Sequence, residues 1–190
     1  MAGPDPDPRP DGRLVAAVLD GDDGAFAGLV GRHKRRVLRI AARFCRTPQE
    51  LEELGQEIFL KAYADLGRYR GDAPFSHWLS RIAVRSCYDA LRRRRREIDT
   101  LPLDDAAPYL ADGSIPRKEA AEAARDLLSR ALSRLRPAER LVITLLSLEE
   151  RTVREVAALT GWTEVNVMVR AFRARRELKR ILEEDDGEKR

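Results

Sequence analysis

Histidine and cysteine are scarce in this chain, with two of each among 190 residues. Cys45 and Cys87 stand far apart and form no C-x-x-C pair, so neither a disulfide framework nor a zinc ribbon is indicated. No metal site and no cofactor are expected. Paired carboxylates beside a metal motif, a phosphate-cradling glycine loop and a nucleophile–base arrangement are all missing, which argues against an enzyme. No apolar run reaches membrane-spanning length and no signal peptide opens the chain. A cytoplasmic protein without membrane insertion is therefore expected. Nothing alternates convincingly as a strand, and no internal repeat is visible.

What the chain does have is segregated charge. The net charge is only +4. Yet Arg92 to Arg96 are five consecutive arginines, and Asp104, Asp105 and Asp112 follow soon after. Segregated basic stripes favour an anionic polymer. The arginine run by itself reads slightly better as a solvated helix end favoured by the helix dipole, but its place directly after the Trp78 helix favours phosphate binding.

The periodicity is helical, and the fold class expected is all-α: two small helical domains joined by a flexible linker. Residues 1–12, with four prolines up to Pro10, read as a disordered tail. A first domain spans 13–98. Phe26, Leu29, Val30, His33, Val37, Ile40, Ala41 and Phe44 share one face of a long helix, His33 being a packed histidine. Thr47-Pro48-Gln49-Glu50 is a capping box with proline at the first helical position. It opens a helix with Leu51, Leu54, Ile58, Ala62 and Leu66 on one face. Tyr69 to Pro74 is a loop, and a helix through Trp78, Leu79, Ile82, Ala83 and Ser86 runs on into the arginines. Residues 99–120, acidic and punctuated by Pro102, Pro108, Gly113 and Pro116, read as a linker. A second domain spans 121–183, begins on Leu128, Ala131, Leu132 and Leu135, and opens its next helix at Pro137. A charged tail, 184–190, follows.

The second domain holds the most specific signal. Thr152 and Glu155 form a capping box. Thr160-Gly161 stops that helix after two turns, because glycine adopts the left-handed conformation cheaply. Thr163 caps the next helix. On that helix Val167, Ala171, Ala174, Leu178 and Ile181 recur at helical spacing, while basic residues occupy the other faces. A short helix, a glycine turn and a basic second helix make a helix-turn-helix, whose second helix can enter a DNA major groove.

Three blocks then resemble one family, the small two-domain, extracytoplasmic-function group of bacterial RNA polymerase sigma factors in the sigma-70 family. Glu53 to Tyr63 resembles its polymerase-binding helix (region 2), Arg68 to Ala83 its −10 reading segment, and the helix-turn-helix its −35 reader (region 4). The order and the intervening linker match as well. The resemblance implies a non-enzymatic factor that binds core polymerase, directs it to promoters and helps melt them. It implies docking on the β′ clamp helices through Glu53, Gln56, Glu57, Phe59 and Lys61, and on the β flap.

In the family, the loop after the docking helix captures a flipped base. Here that loop is Tyr69 to Phe75, with Tyr69, Arg70, Asp72 and Phe75 as candidates. Stacking on such a loop contributes roughly 1–3 kcal/mol per base. His77 and Trp78 follow it, although a surface role suits His77 equally well and Trp78 reads as core more readily than as a DNA contact. Phe75 reads as either loop anchor or base stack. Arg81, Arg85, Arg92, Arg93 and Arg94 would follow phosphates. For the −35 element the matching positions are Thr163, Asn166, Met168, Val169, Arg170, Phe172 and Arg173. Many relatives carry a basic residue at Met168 and a polar one at Val169. Met168 and Val169 cannot donate to phosphates or base edges, but they can contact thymine methyls. The resemblance also implies an anti-sigma factor as a possible partner.

A stand-alone helix-turn-helix repressor is the competing reading. It would need a dimer interface and palindromic half-sites, and the −10-like block would be superfluous. A decoy that only binds polymerase is a further alternative.

Overall fold

The computed structural model describes residues 9–100 and 127–187, all of whose regular structure is helical. The expected linker lies outside the described residues except for Asp99 and Thr100. So do residues 1–8 of the expected tail and the last three residues. The chain divides into two compact units, Met1–Cys87 and Tyr88–Arg190. Among the described residues no helix is long and apolar enough to cross a membrane.

In the first unit, α1 (Asp11–Leu19) buries Leu14, Val15 and Val18 and packs against α2 (Asp23–Ala42). The helix begins inside the stretch read as a tail. Pro10 occupies its N-cap, and Asp11 puts a carboxylate in the first turn, where the helix dipole favours it. That carboxylate also reaches across to α2. It pairs with Arg32, and one oxygen lies 3.0 Å from His33 Nε2. His33 is indeed packed, but against a charged partner as well as the Phe75 ring.

Asp22 caps α2 by accepting from the Ala25 amide at 3.2 Å. Pro48 opens α3 (Pro48–Ala64), with Thr47 accepting from the Glu50 amide at 3.1 Å. The return arm of this box goes one residue further back, to the Arg46 amide at 2.7 Å. Leu54, Ile58 and Ala62 are buried along α3 as the spacing predicts. Burying one such large aliphatic side chain contributes about 1.5–3 kcal/mol. A 3-10 turn, Leu66–Arg68, leads to the loop, and α4 (Phe75–Thr100) follows, its residues up to Cys87 belonging to the first unit and those from Tyr88 on to the second. With no glycine or proline before Pro102, α4 continues through all five arginines and takes in the first two residues of the expected linker.

In the second unit, residues 127–134 form α5. Pro137 opens α6 (Pro137–Ile143), which runs into a π-helical turn, Thr144–Leu148. Then come α7 (Val153–Thr160) and α8 (Glu164–Gly187). Both α6 and α7 pack on α8. Ala131, Leu132, Leu135, Ile143, Ala174 and Ile181 form the core, with Leu148 and Leu178 packed against it. Leu128 differs from the expectation. It is exposed, so the core starts at Ala131. The helix also outlasts the boundary set at 184. Lys179 with Glu183, and Arg180 with Glu184, pair across one turn and carry α8 onward to Gly187.

Candidate nucleic-acid interface

The loop between the 3-10 turn and α4 is held by aromatic rings. Tyr69, Phe75 and Trp78 touch one another, with ring centres 5.4–5.6 Å apart. The Tyr69 hydroxyl donates to the Ala73 carbonyl at 2.8 Å, and Gly71 turns the backbone through φ 78°. Burial, and then the nearby carboxylates of Asp11 and Asp72, raise the Tyr69 phenol above its ordinary value. The hydroxyl therefore stays protonated and available as a donor at neutral pH.

Beside this cluster opens a cavity of about 340 Å³. It brings together Tyr69, Arg70, Asp72, His77, Trp78, Arg81 and Arg85, seven of the residues singled out from sequence. Arg81 and Arg85 stand one turn apart on α4 and are both exposed. Two flat rings with cations on the wall suit a stacked base carrying its phosphates.

Phe75 is not in the wall. At 2% exposure it sits beneath the loop against His33, Tyr69 and Trp78, in the anchor role. Arg92, Arg93 and Arg94 lie farther along α4 and do not line the cavity. Arg92 lies over its neighbour, the Tyr88 ring, at 5.7 Å. Sequence reasoning missed Asp65 and Arg68, which pair at 2.8 Å at the cavity edge. Arg68 opens the −10-like block, and its place next to Tyr69 is the signal that could have found it.

On α3, Glu53 and Gln56 are exposed, while Glu57, Phe59 and Lys61 are half-buried. Lys61 turns inward, to Glu57 at 2.7 Å and to the Ser86 hydroxyl at 3.3 Å. Leu60, passed over in the sequence, is 70% exposed on the same face as Glu53 and Gln56. An exposed leucine four residues after Gln56 is the signal that could have found it.

The helix-turn-helix is built as its sequence dictates. Thr152 Oγ1 accepts from the Glu155 amide at 3.2 Å, and the Glu155 carboxylate accepts from the Thr152 amide at 2.8 Å. Gly161 adopts φ 78°. Thr163 accepts from the Asn166 amide at 3.2 Å, which caps α8. Val167, Ala171, Ala174 and Ile181 are buried, so the opposite side faces outward. Asn166, Met168, Val169, Phe172 and Arg173 all lie on that outward side and are exposed. Arg170 does not join them. Its guanidinium stacks over the Trp162 ring, 4.3 Å from the ring centre.

Comparison with known proteins agrees with both halves. The sigma-70 region 2 family model matches residues 29–97, and the sigma-70 region 4 model matches residues 125–178. The extracytoplasmic-function sigma factor SigM of Mycobacterium tuberculosis is 36% identical over 174 residues, covering 92% of this chain and 85% of that protein. The sigma-E factor of Escherichia coli K12 is 31% identical, covering 85% of this chain and 88% of that protein. Among solved structures, CnrH in complex with the cytosolic domain of CnrY has a TM-score of 0.59 at 27% identity, covering 92% of this chain and 98% of that one. The Bartonella quintana sigma factor RpoE, in complex with the anti-sigma factor NepR, shares the fold with a TM-score of 0.57 at 22% identity, covering 83% of this chain and 96% of that one. The chain belongs to the extracytoplasmic-function group of the sigma-70 family, as a non-enzymatic factor that binds core RNA polymerase and directs it to promoter DNA for transcription initiation.

Proposed function

We propose that the cavity beside Tyr69 and Trp78 captures one flipped base of the non-template −10 strand and so drives promoter melting. The observation carrying this reading is the cavity itself, where aromatic rings meet Arg70, Arg81 and Arg85. Unstacking a base costs a few kcal/mol, and a ring on which it can restack offsets about 1–3 kcal/mol of that. Arg92, Arg93 and Arg94 serve phosphates outside the cavity, where they add affinity without sequence choice.

Residues 13–98 act as region 2 and dock on the β′ clamp helices through Glu53, Gln56 and the exposed Leu60. Glu57, Phe59 and Lys61 shape that face from its inner side. Residues 99–120 act as the linker, threading toward the active cleft. Residues 121–183 act as region 4, reading the −35 element with α8 and meeting the β flap. The protein works in the cytoplasm, where its polymerase is. An anti-sigma factor holds it in reserve. Support for that partner comes from the two similar solved structures, one of which is a sigma factor bound to its anti-sigma factor.

The test places the fluorescent adenine analogue 2-aminopurine at each position of the non-template −10 strand, with the complete holoenzyme. A single position should change sharply on binding, and Arg81→Ala should weaken that change. Uniform behaviour at every position would contradict base capture.

A further inference from the structure

Helix α8 has two apolar faces. One, formed by Val167, Ala171, Ala174 and Ile181, is at most 3% exposed. The other, formed by Val165, Met168, Val169 and Phe172, is 65%, 50%, 42% and 66% exposed. The second set recurs at the i, i+3, i+4, i+7 spacing of one continuous stripe. At about 100° per residue it lies roughly half a turn from the buried set. A surface helix ordinarily gives that side to polar residues, and a contiguous exposed apolar patch marks a contact surface.

The surroundings of the stripe name its occupant. Asn166 and Arg173 flank it, and Arg175, Arg176 and Lys179 continue beyond Phe172, all exposed. A cationic rim around an apolar stripe complements an anionic surface that carries apolar groups. Arg170, the one basic residue within the stripe's span, is turned onto Trp162. That leaves Asn166 as the only side chain among the first two turns' outward residues able to donate to a base edge. The N-terminal turns of the second helix of a helix-turn-helix are the part that meets base edges. In the major groove just one base feature rewards an apolar side chain, the 5-methyl group of thymine.

We propose that Val165, Met168, Val169 and Phe172 read thymine methyl groups in the −35 duplex, so that this sigma factor selects its upstream element by methyl contact more than by hydrogen bonds to guanine. The proposal rests on the assignment of α8 as the −35 reading helix. It assigns Val165 a place in recognition and gives the exposed Met168 and Val169 a specific target. Each methyl desolvated against the stripe should contribute roughly fourfold in affinity.

The test uses the full chain with core polymerase. Upstream elements are first selected from a randomised −35 duplex in a fixed promoter. The selected thymines are then replaced singly by deoxyuridine, which removes the methyl and leaves the base pair intact. Selected sequences should contain thymines whose replacement weakens binding roughly fourfold each. Met168→Ala should abolish the difference between the thymine and uracil promoters at one position. Val165→Ala should do so at another. All stripe positions are exposed, and a mere loss of folding would weaken both promoters alike. Selection of a defined element with no effect of uracil overturns the methyl proposal while leaving α8 as the reader. Selection of no upstream sequence overturns the assignment of α8 itself. Unchanged promoter binding by all four alanine variants, with loss of binding to a protein partner, overturns the proposal in favour of a protein-docking stripe.

Discussion

The guanidinium of Arg170 stacks on the indole of Trp162, 4.3 Å from the ring centre, and ties the turn of the helix-turn-helix to its second helix. Its Nε is buried without a hydrogen-bond partner among the described residues, so ring stacking is its main compensation. This arginine therefore serves the motif's shape, whereas Arg173, exposed one turn away, is free to serve DNA. Arg170→Ala should lower stability by about 1 kcal/mol. Arg170→Lys should not restore it, because the planar group is what stacks. Arg173→Ala should leave stability unchanged and make promoter binding less salt-sensitive. Denaturant unfolding and salt-dependent binding of the holoenzyme separate the two.

The capping box of α7 gives the protein an acid sensitivity. Hydrogen bonds from the Thr152 amide and then the Thr152 hydroxyl hold the Glu155 carboxyl below its ordinary value, with Arg151 adding to the effect. A depressed folded-state value means a contribution that is present at neutral pH, above the unfolded value. It is lost as pH falls through the folded one. Thr152→Ala should cost about 1 kcal/mol at pH 7. Glu155→Gln, which accepts the same bonds without titrating, should flatten the acid limb of stability between pH 7 and pH 3. An acid limb of unchanged steepness would contradict this assignment.

Glu150 carries a positive φ of 52° between the π turn and α7. A side chain in the left-handed region costs roughly 1–2 kcal/mol, of which glycine escapes all but its greater unfolded-state entropy. Glu150→Gly should therefore raise stability by about 0.5–1 kcal/mol. Thermal unfolding reads it directly.

Leu38 of α2 leans into the space above Gly55 of α3, where a Cβ would lie 2.7 Å from Leu38 Cδ2. Gly55→Ala needs only a shift of that methyl. Gly55→Ile should cost about 1–3 kcal/mol by overpacking, and Leu38→Ala in the same chain should recover part of it. Additive losses in the double variant would contradict this contact.

Local chemistry was legible in the sequence, and tertiary direction was not. The Thr152–Glu155 box, the Gly161 stop, the Thr163 cap and the buried stripe of α8 each depend on neighbours within one or two turns. Their residue types therefore announced them. The aromatic loop was legible for the same reason, and its Tyr69, Arg70 and Asp72 do line one cavity together with His77, Trp78, Arg81 and Arg85 of α4. Which way a given side chain points depends on a partner distant in sequence. Phe75 goes under the loop because His33 of α2 meets it there. Lys61 turns inward because α4 offers Ser86. Asp11 leaves the expected tail because Arg32 and His33 receive it. The π-helical turn after α6 carries no residue signature of its own, since its Thr-Leu-Leu-Ser-Leu sequence suits an ordinary helix.

The most direct measurement is multi-round transcription from a genomic fragment library by core polymerase, with and without this protein, with start sites mapped. The expected result is a set of new starts that share two spaced upstream elements. The −10-proximal element should lose its hold when Arg81 and Arg85 are replaced by alanine, and the −35 element when Met168 and Val169 are. New starts with no shared elements, or failure of the protein to bind core polymerase at all, would contradict promoter selection by these two surfaces.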